Sequence, residues 1–187
     1  MSRTILLSLL FSAVAWTVSA ASPIHRPAAI ILLRHAEKPE DPSDVHLSQA
    51  GVKRAEELVS FITTDTAMTR LGLPVAIFAT KTAKDGNGQR TQETVAPLSH
   101  RLGVPVQTPF RTKDYRSLAK LIFGDTAYAR KTILICWNHE RIPQLAKALG
   151  VRPGPPKWDD DVYDRVYVIS YPHGKAALKT LHYGGKS

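Results

Sequence analysis

The sequence predicts an α/β fold, a three-layer α/β/α sandwich around a mainly parallel sheet, built as one domain. Three observations carry this. Residues 28–33, 75–79 and 132–136 are short, continuously apolar runs, as expected of strands buried on both faces. Between them lie segments whose apolar residues recur at helical spacing. Strands therefore alternate with helices along the chain, the order that produces a parallel sheet covered on both sides.

The elements follow in order. Residues 1–20 open with one positive charge at Arg3, continue through an apolar run from Ile5 to Trp16, and end in Val18-Ser19-Ala20. The run is shorter than the roughly 20 residues a membrane span needs, and the small-residue ending fits cleavage after Ala20. Residues 1–20 are thus expected to be a signal peptide and residues 21–187 the domain, secreted or periplasmic; an uncleaved N-terminal anchor is the alternative. After the strand at 28–33, Ser48 is placed to cap a helix with Val52, Ala55, Val59 and Ile62 on one face. The strand at 75–79 leads into a loop rich in Lys, Asp and Gly over residues 81–88. A helix from Arg90 through Leu98, ended by Gly103, precedes a short strand at 104–106. Residues 115–123 read as a helix, 132–136 as a strand, and 141–149 as a helix closed by Gly150. Beyond the prolines at 153–156, residues 162–171 and 176–182 read as two final strands in an edge hairpin.

Composition narrows the chemistry. Cys136 is the single cysteine, so no intramolecular disulfide forms, and its apolar run points to a buried, inert thiol. The net charge of +9, or +8 without Arg3, favours anionic partners: phosphorylated small molecules, an anionic envelope surface, or nucleic acid. Nucleic acid is disfavoured, because the basic residues are scattered and not interleaved with aromatics. No metal is expected either: His25, His46, His100, His173 and His182 lack ligand spacing, and Asp159-Asp160-Asp161 after Trp158 lacks the alternation of a calcium loop. That acidic run reads as a solvated turn, and residues 81–90 as a solvated basic loop with a lesser reading as a gatherer of anionic substrate.

In parallel sheets ligands bind outside the carboxyl ends of the strands. Arg34-His35 and Trp137-Asn138-His139 both stand at such ends. An arginine offers a rigid fork for anions, and an adjacent histidine offers a nucleophile that must be neutral to attack, a state nearby guanidinium groups favour. Alone, such a pair is equally compatible with a structural role.

Four segments together resemble the histidine phosphatase superfamily, the phosphoglycerate mutase-like group. Leu32-Leu-Arg34-His35-Ala36-Glu37-Lys38-Pro39 looks like its opening motif; Leu47-Ser-Gln-Ala-Gly51 is similar to its Leu-Thr-x-x-Gly helix start; Arg90-Thr-Gln-Glu-Thr94 resembles Arg-x-x-x-Thr; and Ile133-Leu-Ile-Cys-Trp-Asn-His139 resembles the strand that ends in the second pocket histidine. The resemblance spans residues 30 to about 150. It implies the phosphoglycerate mutase-like fold and no cofactor. It also implies a phosphohistidine formed on His35, phosphoryl oxygens held by Arg34 and Arg90, and a hydrogen bond to them from His139. The activity implied is that of a small exported phosphomonoesterase, a histidine-type acid phosphatase. Mutase chemistry is not expected, since Ala36-Glu37-Lys38-Pro39 replaces the glycine, Thr and Asn pattern and no cap insertion is present.

The acid that protonates the leaving group is open. Asp114 is preferred as the first carboxylate after residues 104–110, though it equally suits a helix N-cap; Glu37 and Glu140 compete. A catalytically silent phosphate- or phosphoprotein-binding module would keep the same histidines and arginines. A sugar phosphate, an envelope glycolipid phosphate, a nucleotide or a phosphoprotein would each suit a basic pocket mouth. Oligomeric state is left open.

Overall fold

The computed structural model describes residues 25–184, so the proposed signal peptide lies outside the described residues. Six strands form one sheet: β1 (Ala29–Arg34), β2 (Ala76–Ala79), β3 (Val106–Gln107), β4 (Thr132–Trp137), β5 (Arg165–Ser170) and β6 (Ala177–His182). Their order is β3-β2-β4-β1-β5-β6. The first four are mutually parallel, β5 runs antiparallel between β1 and β6, and the sheet is therefore mixed but mainly parallel. The hairpin predicted for the end of the chain is present, with β6 at the edge and β5 paired inside against β1.

Continuous apolar runs make sense here because alternate residues serve two cores. Ile30, Leu32, Ile133, Ile135 and Trp137 pack beneath α4 (Tyr115–Gly124) and α5 (Ile142–Ala148). Ile31, Leu33, Ile77, Leu134 and the fully buried Cys136 pack beneath α1 (Gln49–Thr64) and α3 (Gln89–Leu102). Burial pushes the Cys136 thiol far above its ordinary pKa, so it stays protonated. A single-turn helix α2 (Thr66–Thr69), which the apolar spacing does not signal, is capped by the Asp65 carboxylate.

Helix α1 shows how a local pattern serves the site. Ser48 caps it as expected, its hydroxyl accepting from the Gly51 N–H at 3.1 Å. The buried face, however, is Gly51, Arg54, Ala55, Leu58 and Ile62, rotated from the expected one, and Val52 is half exposed. The reason is Glu37. Its carbonyl accepts from Ser48 N–H at 3.0 Å, its carboxylate pairs with buried Arg54 at 2.5 Å, and a Cβ on Gly51 would lie 2.4 Å from its carbonyl oxygen. A buried ion pair and a missing side chain thus turn α1 onto the loop that follows β1.

Candidate active site

His35, Thr80 and Asn138 follow the carboxyl ends of β1, β2 and β4, and a cleft opens there. Its volume is about 270 Å³, and His35, Arg90, Asp85, Asn87, Thr91 and Asn138 contribute to its walls. His35 Nδ1 lies 2.7 Å from the Ala36 carbonyl oxygen. A carbonyl only accepts, so Nδ1 carries the proton and Nε2 of the neutral ring keeps its lone pair. Burial is the main reason that the His35 pKa falls to about 4, with Arg34, Arg90 and His139 lowering it further against the Ala36 hydrogen bond. The imidazole is therefore neutral at ordinary pH. His139 stands beside it, the ring centroids 6.2 Å apart.

A ladder of threonines fixes Arg90 relative to His35. Thr94 is fully buried; its hydroxyl accepts from Ala36 N–H at 2.9 Å and donates to the Arg90 carbonyl at 2.7 Å. Thr91 bonds the Thr80 hydroxyl at 2.6 Å and donates to the Gly88 carbonyl at 2.7 Å. Gly88 has φ 101°, and a Cβ there would lie 2.9 Å from both Lys81 O and Thr80 Oγ1, so the entry to α3 requires glycine. The Arg90 guanidinium in turn donates to the carbonyls of His46 (2.9 Å) and Asp44, tying down the loop before α1.

On the other flank of His35 lies the Asp159–Asp161 run, which the sequence suggests is a solvated turn; it contacts Arg34 and His139, neither of which is among the residues that wall the cleft. Its carboxylates are indeed exposed, but its backbone holds the site. Arg34, 1% exposed, donates from Nη1 to the carbonyls of Asp159, Asp160 and Val162 at 3.1, 2.9 and 3.2 Å. Its guanidinium lies 4.1 Å from the Tyr163 ring centroid, and its Nε is buried without a partner among the described residues. Asp160 Oδ1 accepts from His139 Nε2 at 3.0 Å, and the buried Nδ1 of His139 has no partner among the described residues. Burial, and next Arg34, lower the His139 pKa, while Asp160 opposes them. Fully buried Trp158 anchors this wall by donating to the Val162 carbonyl at 2.8 Å. Sequence reading missed Tyr163 and the Asp159–Val162 carbonyls, because backbone acceptors carry no residue-type signal; buried Trp158 next to an acidic run was the one available clue.

The three candidate acids fare differently. Glu37 is committed to Arg54, and Glu140 is exposed on the helical turn His139–Arg141. Asp114 caps: its Oδ2 accepts from Arg111 N–H at 3.2 Å, and it lies in an adjoining cleft rather than beside His35. The carboxylate that does border the His35 cleft is Asp85, in the loop expected to be merely solvated. No group of three or more His, Cys, Asp or Glu among the described residues is arranged to hold a metal ion.

No family model and no curated protein matches the sequence. Solved structures do. The chain superposes on an Escherichia coli K-12 chain described as an alpha-ribazole-5'-P phosphatase with a TM-score of 0.57 and 15% identity, over 82% of this chain and 96% of that one. It superposes on phosphoserine phosphatase from Entamoeba histolytica, solved with 3-phosphoglyceric acid, with a TM-score of 0.52 and 13% identity, over 86% and 98%. The likeness shows the fold: the chain is an α/β sandwich of the phosphoglycerate mutase-like kind that these two phosphatase structures share.

Proposed function

We infer that this protein hydrolyses phosphate monoesters through a phosphohistidine on His35. The observation that carries the reading is the fixed Nδ1–H to Ala36 hydrogen bond, which leaves a neutral, unprotonated Nε2 at a cleft shared with Arg90. The Nε2 lone pair attacks phosphorus, the bond to the leaving oxygen breaks, and that oxygen takes a proton from a carboxylic acid. Water then attacks the phosphoryl group, its proton passing to the carboxylate left by the first step and the P–Nε2 bond breaking, which releases inorganic phosphate and restores both His35 and the acid. Arg34 and Arg90 supply the positive charge that offsets the phosphoryl oxygens, each oriented by backbone carbonyls. The His139 Nε2–H now given to Asp160 is the donor for a phosphoryl oxygen that takes the carboxylate's place. Asp114 remains a candidate acid from the adjoining cleft, and Asp85 joins it from the His35 cleft. Asn substitution at the true acid slows alkyl phosphates far more than aryl phosphates, whose leaving groups need less protonation.

The test is turnover of phenyl phosphate by wild type beside His35→Ala. At least a thousandfold loss, roughly, is expected on removal of the nucleophile. Equal rates would exclude His35. No wild-type turnover from about pH 5 to 8, on phenyl phosphate and a panel of small esters, would leave a phosphate-binding module, the reading favoured by the engagement of Glu37 and Asp114 elsewhere. Export belongs to the same reading, and an intact mass beginning at Ala21 is the result it requires.

A further inference from the structure

The His35 cleft does not end at Asp85 and Asn87. These two residues also border a second cleft, of about 380 Å³, whose wall brings together Lys81, Arg111 and Lys113. The three cations come from two segments distant in sequence, held side by side. Lys81 N–H donates to the Phe110 carbonyl at 2.7 Å, and buried Trp137 donates from Nε1 to the Thr112 carbonyl at 3.2 Å. The turn Thr112–Asp114 is thereby fastened to the end of β4, one residue from Asn138 in the His35 cleft.

All three cationic residues are exposed, and none takes part in an ion pair among the described residues. Two carboxylates share the wall, Asp85 accepting from Asn87 N–H at 3.0 Å and Asp114 from Arg111 N–H at 3.2 Å, so three cations against two carboxylates leave a net formal charge of +1 there. With the carboxylates held by backbone donors and the three cationic side chains outside any ion pair among the described residues, the cations are available to a ligand entering this concave, net positive site.

We propose that the cleft walled by Lys81, Arg111 and Lys113 is a second anion subsite, which receives a phosphate or carboxylate elsewhere on the phosphorylated substrate. This rests on the assignment of the His35 cleft to the scissile phosphate. The substrate class it selects is a small ester with at least two anionic groups, the leaving portion extending past Asp85 and Asn87 into the second cleft. A neutral alcohol leaves that cleft without a counter-charge; a second anion gains charge-assisted hydrogen bonds from lysine and arginine.

The test compares matched esters: phenyl phosphate with 4-carboxyphenyl phosphate, and glucose 6-phosphate with glucose 1,6-bisphosphate. For wild type, kcat/KM is expected to be about tenfold or more higher for the doubly anionic member of at least one pair, one charge-assisted contact being sufficient for this, and the advantage shrinks as salt is raised. Which pair responds tells a carboxylate from a phosphate subsite. In Lys81→Gln/Arg111→Gln/Lys113→Gln the ratio within that pair falls towards one. Ratios within about twofold in wild type, or an advantage that survives the triple substitution, overturn the subsite. Calorimetric binding of the same pairs to His35→Ala separates the subsite from the activity. Tighter binding of the doubly anionic ester, lost in the triple variant, sustains the subsite even if no ester is turned over; equal binding rejects it.

Discussion

The two walls that flank His35 are built on opposite principles. On the α3 side, buried hydroxyls do the holding: Thr94 is 0% exposed and bridges Ala36 to Arg90, while Thr91 and Thr80 close the ladder behind it. On the other side, Arg34 reaches out from the sheet to three carbonyls of the loop after Trp158, and the nearest carboxylate, Asp160, has 74% of its side chain exposed. The α3 side is held by the hydroxyls of Thr80, Thr91 and Thr94, each buried and hydrogen-bonded in the interior, where a lost hydrogen bond is expensive. The other has a firm backbone and a solvated carboxylate that can give way to an anion. His35 thus stands between an arginine tied to backbone carbonyls and a histidine whose partner carboxylate is exposed.

The contrast can be broken most severely at Arg90. Arg90→Ala is expected to cost about 2 to 4 kcal/mol in transition-state stabilisation, read as kcat/KM on phenyl phosphate; a loss below about tenfold would place Arg90 outside the reacting cleft. Acid is the next lever. His35 is neutral when folded, with a pKa near 4, against 6.5 when unfolded, so the unfolded chain binds more protons between these values. Stability is complete above pH 6.5 and falls as pH drops towards 4, by on the order of 3 kcal/mol. Urea melts across that window should show His35→Gln with a correspondingly flatter profile, and an unchanged slope would mean that His35 is not desolvated.

Thr94→Val strips both bonds from the rigid wall and should lower stability by about 1 to 3 kcal/mol, together with kcat/KM, while Thr94→Ser restores most of both. Recovery of stability without activity in the Ser variant would show that Thr94 does not position Arg90 and His35. On the exchangeable wall the effect is smallest and opposite in sign. Asp160→Asn should change stability by less than about 1 kcal/mol and lower KM a few-fold by removing a competitor of the phosphoryl oxygens. A raised KM would instead make Asp160 a positioning residue for His139.

These walls also differ in how far they could be read in advance. Arg90 and Thr94 stand out through the resemblance to Arg-x-x-x-Thr, and the structure supplies the reason for the spacing: four residues on, the threonine hydroxyl returns to the arginine's own carbonyl and also accepts from Ala36 N–H in the loop after β1. Ser48 is legible because N-capping is a local demand with few residue choices, whereas Gly51 stands out only through the motif resemblance, its reason being a close approach to Glu37 in another segment. By contrast the face of α1 was misjudged, because Val52 has the right spacing but the Glu37–Arg54 pair decides the rotation. Asp114 was chosen by its order along the chain and turned out to cap the turn at Arg111, whereas Asp85 entered the cleft through the geometry of a glycine-bearing loop.

By itself the sequence determined the layered architecture, because continuous apolar runs can be satisfied only by burial on both faces, and it placed Arg34, His35 and His139 at strand ends, where the motif resemblance, not spacing alone, makes them candidates to bind and attack phosphate. What only the tertiary structure decided is how those residues are held and what surrounds them. The carbonyls that orient Arg34, the Asp160 contact to His139, and the meeting of Lys81 with Arg111 and Lys113 all join segments far apart in the chain. Such contacts depend on where the sheet order β3-β2-β4-β1-β5-β6 brings the loops together, and no local spacing encodes that.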